Sequence, residues 1–109
     1  MTEQSSKYLT DILMAIELIE DFTKDINSFA EFELDRKSQS AVERQLVIIG
    51  EALNQFKKLE PATTIKHDRQ IVSFRNRLVH AYDSIDNSVV WSILVRHLEP
   101  LKLEVIELM

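Results

Sequence analysis

One glycine and two prolines are all the conformational breakers that this chain of 109 residues carries. Glycine and proline are the strongest local punctuators of a backbone, and an all-β chain needs many of them at its turns. Their scarcity, with 45% hydrophobic content in helical spacing, predicts long helices joined by few loops. The expected fold is all-α, a compact antiparallel bundle of four to five helices. At this length the chain holds one core and is too small for two, so residues 1–109 read as a single helical domain.

The apolar residues Leu9, Ile12, Leu13, Ile16, Ile19, Phe22 and Ile26 repeat at helical spacing and predict a first amphipathic helix. Ser28 and Glu31 have capping-box spacing, and Phe29 and Phe32 follow as anchors for a short helical turn. A second helix should run to about Leu59. Its seam of Val42, Leu46, Ile49, Leu53 and Phe56 steps by four, three, four and three, and Val47 and Ile48 widen it, which implies burial on two sides. Gly50 lies inside that helix, at a cost on the order of 1 kcal/mol relative to alanine. It marks either a close helix crossing or a neutral accident. After Glu60-Pro61, Thr63 or Thr64 is a candidate cap for a third helix built on Ile71, Phe74 and Leu78. Asp86 or Asn87 would cap a last helix through Val90, Ile93, Leu94, Leu98 and Leu101, which Pro100 must kink or break.

The chain has no cysteine, which excludes a disulfide scaffold and thiolate metal sites and suits a reducing compartment. The N-terminus lacks the basic-then-apolar order of a signal peptide, and no apolar run approaches the roughly 20 residues of a membrane span. A cytoplasmic protein with no membrane partner is expected. His67 and His97 stand far from His80 in sequence with no His-x3-His pair, so neither a metal site nor any other cofactor is expected. The net charge of −5 argues against broad polyanion binding, and no DNA partner is expected. Positive charge is nonetheless concentrated at Lys66, Arg69, Arg75 and Arg77, interrupted by Asp68, so any RNA contact must be local.

That basic stretch runs into Ser73-Phe-Arg-Asn-Arg-Leu-Val-His-Ala-Tyr82, where an arginine, an imidazole and a phenol fall close to a helix end. Arginine offers a donor fork that matches phosphate, and histidine titrates nearest neutrality. On an ideal helix Arg75 and His80 point about 140° apart, by five steps of roughly 100°. One straight helix does not aim both at one phosphate. Distortion at the helix end, or two copies of the helix meeting across a symmetric dimer, would bring them together, and the dimer is preferred.

Arg75-Asn-Arg-Leu-Val-His80-Ala-Tyr82 resembles the R-x4-H-x-Y motif of HEPN-domain ribonucleases, and it looks most like the HepT toxins of prokaryotic toxin–antitoxin pairs. Ile49-Gly-Glu-Ala-Leu53 resembles that family's second helix. The resemblance implies a HEPN-like dimeric bundle, metal-independent RNA cleavage, and a minimal nucleotidyltransferase (MntA-like) antitoxin. It assigns Arg75 and His80 as the catalytic pair, Asn76 as a supporting polar residue and Tyr82 as the AMPylation site. Arg77 and Arg69 read first as surface charges and second as RNA contacts, and Lys66 is a further candidate RNA contact. The lead-in Pro61-Ala-Thr-Thr-Ile-Lys-His-Asp lacks the proline and tryptophan often found before the motif helix in relatives.

The expected activity is that of a type II endoribonuclease toxin cleaving tRNA or mRNA by attack of the RNA's own 2′-hydroxyl. Arg75 would neutralise the phosphate and His80 would transfer a proton. AMP on Tyr82 would add bulk and negative charge where substrate phosphate enters. The alternative is a non-catalytic HEPN module that partners a nucleotidyltransferase subunit. A generic dimerising bundle ranks last, because it leaves the motif as coincidence. Outside the motif, Trp91 and Phe74 read as core, His97 as a core-edge residue, and Glu17, Glu20 and Asp21 as a solvated face.

Overall fold

The computed structural model describes residues 1–80 and 85–109, which contain six helices and no strand. Helix α1 (Glu3–Thr23) starts at a reciprocal cap in which the Ser5 N–H donates to Thr2 Oγ1 at 3.0 Å and the Thr2 N–H donates to Ser5 Oγ at 2.9 Å. Its apolar stripe sends Leu9, Ile12, Ile16 and Ile19 fully into the core. Phe22 was expected among them but is 37% exposed. Counting about 100° per residue puts it roughly 100° off the centre of the buried stripe, on the side of the exposed Met14 and Leu18.

Helix α2 (Phe29–Leu34) is the short turn foreseen after α1. The Glu31 N–H donates to Ser28 Oγ at 3.2 Å, while Glu31 accepts from the Asn27 N–H at 2.7 Å. These contacts satisfy first-turn donors that would otherwise lack partners. Phe32 is fully buried and meets the Trp91 ring at 5.5 Å between centroids. Helix α3 (Arg36–Leu59) is capped by Asp35 and is the central element. All five residues of its seam are completely buried, while Val47 and Ile48 stay partly exposed.

Helix α1 packs most extensively on α3, and the Met1 amino group lies 3.9 Å from Glu60 at the far end of α3, so the two run antiparallel. Helix α4 (Arg69–His80) also packs on α3. At their crossing, a Cβ placed on Gly50 would lie 2.6 Å from Arg75 Cβ and 2.9 Å from its Cγ. The glycine is therefore the close crossing and not an accident, since any side chain there would push α4 outward.

The sequence expectation of a cap at Thr63 or Thr64 is corrected here, because α4 begins at Arg69. The carboxylate of Glu104 takes the N–H groups of Lys66 (2.6 Å) and His67 (3.0 Å). Those two contacts tie the segment before α4 to the helix that carries Glu104. The Asp68 carbonyl then accepts from Ile71 and Val72, and the buried Asp68 carboxylate pairs with Lys57 of α3.

The last helical stretch is broken into α5 (Asn87–Arg96), capped by Asp86, and α6 (Leu98–Leu108). This break takes the count to six, beyond the four to five expected. It falls at His97, three residues before Pro100, so the proline occupies the first turn of α6, where its missing N–H costs nothing. Helix α6 packs on α1, with Lys102 donating to Glu20 at 2.9 Å. Glu20 thus belongs to an interhelical pair, whereas Glu17 and Asp21 are exposed as expected. No helix among the described residues is long and apolar enough to cross a membrane.

Candidate functional site

Helix α4 has three faces, and its residues divide among them by the 3.6-residue period. Ile71 and Phe74 enter the core. Arg75 turns toward α3. Arg69, Gln70, Ser73, Asn76, Arg77 and His80 are exposed. At about 100° per residue those six span roughly 120°, with His80 within about 60° of Arg77 and about 20° of Ser73. His80 thus closes a polar stripe that begins at Arg69, while Arg75 stands on a different face.

Arg75 is held in place by α3. Its Nε donates to Glu51 Oε1 at 2.8 Å, Nη2 contacts the same oxygen, and Nη1 donates to Asn76 Oδ1 at 3.0 Å. The pair is only partly buried, with 22% of the Arg75 side chain and 46% of the Glu51 side chain exposed. Its contribution to stability is therefore small, on the order of 1 kcal/mol or less. What it supplies is aim, since a long side chain otherwise free in solvent is fixed at two nitrogens. Gly50 next to Glu51 makes this possible by letting the Arg75 stem lie against the α3 backbone.

Glu51 was not singled out from the sequence as a functional residue. Its signal was present in Ile49-Gly-Glu-Ala-Leu53, where an acid follows the chain's one glycine inside a long helix. Knowing which residue it meets required the packing of α4.

Within one chain, the described contacts do not bring Arg75 and His80 together. The approximately 140° between them is preserved because α4 stays helical to His80. Asn76 lies beside Arg75 as a hydrogen-bond acceptor. Tyr82 lies outside the described residues. The three further cations separate. Arg69 and Arg77 line one groove between α4 and α5, of about 620 Å³, with Ser73, Ser88, Ser92 and His97. Lys66 lines a different cleft beside α6, with Pro100 and Leu103.

A third groove lies between α3 and α4, lined by Ser40, Glu43, Arg44, Val47, Ile48 and Leu78. It flanks the crossing that holds Arg75 and leaves Val47, Ile48 and Leu78 only partly covered. Burial pushes the Glu43 carboxyl above its usual range. Glu104, behind the loop that leads into α4, moves the other way. Burial by itself would raise its pKa, but the Lys66 and His67 N–H groups and the His67 ring outweigh that and hold it below the usual carboxylate range.

The sequence profile of a family described as "Ribonuclease HepT-like" matches residues 12–108. A protein of Thermococcus cleftensis named "Probable ribonuclease HepT" is 42% identical over 106 residues, covering 94% of this chain and 93% of the relative. Two proteins of Methanocaldococcus jannaschii named as candidate RNases are each 36% identical. One aligns over 93 residues, 81% of this chain and 73% of the relative. The other aligns over 102 residues, 90% of each. No solved structure matches. With an all-helical bundle, an arginine anchored at a helix crossing, and a family match over nearly its whole length, the chain belongs to the ribonuclease HepT-like family.

Proposed function

We propose that this protein is a metal-independent endoribonuclease, acting as the toxin of a toxin–antitoxin pair. The observation that carries the reading is the Glu51–Arg75 pair, which presents a fixed guanidinium on a partly exposed face at the start of the R-x4-H segment. The relatives' names as ribonucleases support the same class.

In this mechanism the scissile phosphate sits on Arg75, whose donors neutralise charge as the 2′-hydroxyl oxygen attacks phosphorus. One group takes the 2′-hydroxyl proton and another gives a proton to the departing 5′-oxygen. His80 performs one of those transfers, leaving a 2′,3′-cyclic phosphate and a free 5′-hydroxyl. Because Arg75 and His80 diverge on one helix, the working site combines two copies of the chain. The α3–α4 face, with Val47, Ile48 and Leu78 half covered beside Arg75, is the surface a second copy would occupy. An antitoxin of the minimal nucleotidyltransferase type would silence the site by AMPylating Tyr82, two residues beyond His80.

Cleavage of tRNA and of a single-stranded oligoribonucleotide in EDTA tests the reading, with His80→Ala prepared identically. A positioned acid–base group contributes about 10²- to 10⁴-fold, so the variant should lose at least two orders of magnitude in rate. Equal cutting by both proteins refutes the assignment. One observation favours the rival reading of a non-catalytic partner module: Arg75 already has a carboxylate, and its pairing would then serve only to lock α4 on α3. In that case folded dimer cuts nothing.

A further inference from the structure

The exposed face of α4 forms one wall of the groove that α5 closes on the other side. Arg69, Ser73 and Arg77 recur every four residues along that wall, and Ser88 and Ser92 repeat the same interval on α5. The two arginines are separated by about 12 Å along the helix axis, eight residues at 1.5 Å each. Phe74, Val89 and Ile93 line the floor between the polar rims, with Phe74 and Ile93 almost wholly buried. A cationic wall with hydroxyl donors opposite it matches the phosphate backbone of a nucleotide chain. The one acid with a described influence on this wall is Asp86, whose carboxyl lies below its usual range through hydrogen bonds from Ser88 and, more weakly, the nearby charge of Arg77.

We infer that the α4–α5 groove binds the backbone of single-stranded RNA, with Arg69 and Arg77 holding separate phosphates and the strand directed along α4 toward His80. The direction follows from the helix itself, because His80 continues the stripe of Arg69, Ser73 and Arg77 while Arg75 faces α3. The groove is therefore a track for nucleotides flanking the scissile bond, distinct from the Glu51–Arg75 position. The inference relies on the ribonuclease reading for the role of His80, and on the groove alone for binding.

The test uses fluorescence anisotropy of a labelled 2′-O-methyl oligoribonucleotide, which cannot be cut by 2′-hydroxyl attack, at several salt concentrations. Arg69→Gln and Arg77→Gln should each weaken binding several-fold and reduce the slope of log affinity against log salt by about 0.7, the contribution of one phosphate contact on a single strand. Lys24→Gln, which removes an exposed charge in the turn after α1, should change neither. Circular dichroism establishes that the variants are folded. Affinity and slope that match Lys24→Gln overturn the inference, as does binding of oligoglutamate to the groove with no binding of the RNA analogue. A protein that cuts ordinary RNA but binds the analogue equally without either arginine loses the groove and keeps the nuclease. Arginine-dependent binding with no cutting does the reverse.

Discussion

The Glu51 carboxylate is the residue on which the aim of Arg75 depends. Replacing it with glutamine keeps shape and one acceptor oxygen but removes the charge that fixes the guanidinium. Because the pair is partly exposed, Glu51→Gln should change the unfolding free energy by less than about 1 kcal/mol. Misplacing a phosphate-binding group, however, costs up to about 10²-fold in rate. RNA cleavage by this variant is thus expected to fall by one to two orders of magnitude while the melting temperature moves by only a few degrees, measured on the same preparation. A rate that tracks stability instead would make the pair purely structural. Arg75, Asn76 and His80 were singled out by the motif and its resemblance, and Arg75 and His80 stand on different faces of α4. Glu51 was not singled out, because an acid on a helix has no visible partner until another helix arrives.

At the scale of elements, the α3–α4 crossing and the loop before α4 carry the tension between local preference and packing. Alanine at position 50 improves helix propensity by about 1 kcal/mol. Its methyl group would nevertheless meet the Arg75 stem at 2.6 Å, and overpacking of this kind costs about 1–3 kcal/mol. Gly50→Ala should therefore be destabilising or neutral by chemical denaturation and should impair cleavage, whereas a simple propensity argument predicts stabilisation.

The loop before α4 is held by Glu104, whose side chain is 15% exposed. Removing its two backbone contacts with Glu104→Ala should cost about 1–2 kcal/mol near neutral pH, since the exposed Lys66 and His67 N–H groups regain water partners. The folded pKa of Glu104 is below its unfolded value, so its contribution is present above the unfolded value of about 4.3 and is lost as pH falls through the folded one. The stability gap between wild type and Glu104→Ala should accordingly close in acid, below about pH 4, when both are denatured across a pH series. A start at Thr63 or Thr64 was the local reading, whereas α4 begins at Arg69 after a segment tied to α6. A threonine cap is a local signal, and Glu104 is remote in sequence.

For the whole molecule, the flattened dimensions of 42 × 29 × 19 Å leave broad faces beside a narrow core, and the α3–α4 face is the one the proposed site needs covered. On the two-copy reading, Val47→Asp should shift sedimentation from twice the 12.7 kDa chain mass to the monomer and remove cleavage, with little loss of helicity. Monomeric wild-type protein that cuts RNA would remove the need for a second copy.

What the amino-acid sequence determined by itself was periodic and local. Helical stripes, the Ser28 cap, a cap at Asp86 or Asn87, the buried seam of α3 and the order of the R-x4-H segment all depend on residues a few positions apart. Tertiary structure decided the rest. It showed why position 50 is glycine, where α4 begins, that the last helix divides at His97, which carboxylate holds Arg75, and that Arg69 and Arg77 share a groove while Lys66 does not. The physical reason is that these outcomes depend on which faces of separate helices meet. That choice is made by burying the apolar stripes together, and the polar residues between them are carried to partners that no local spacing encodes.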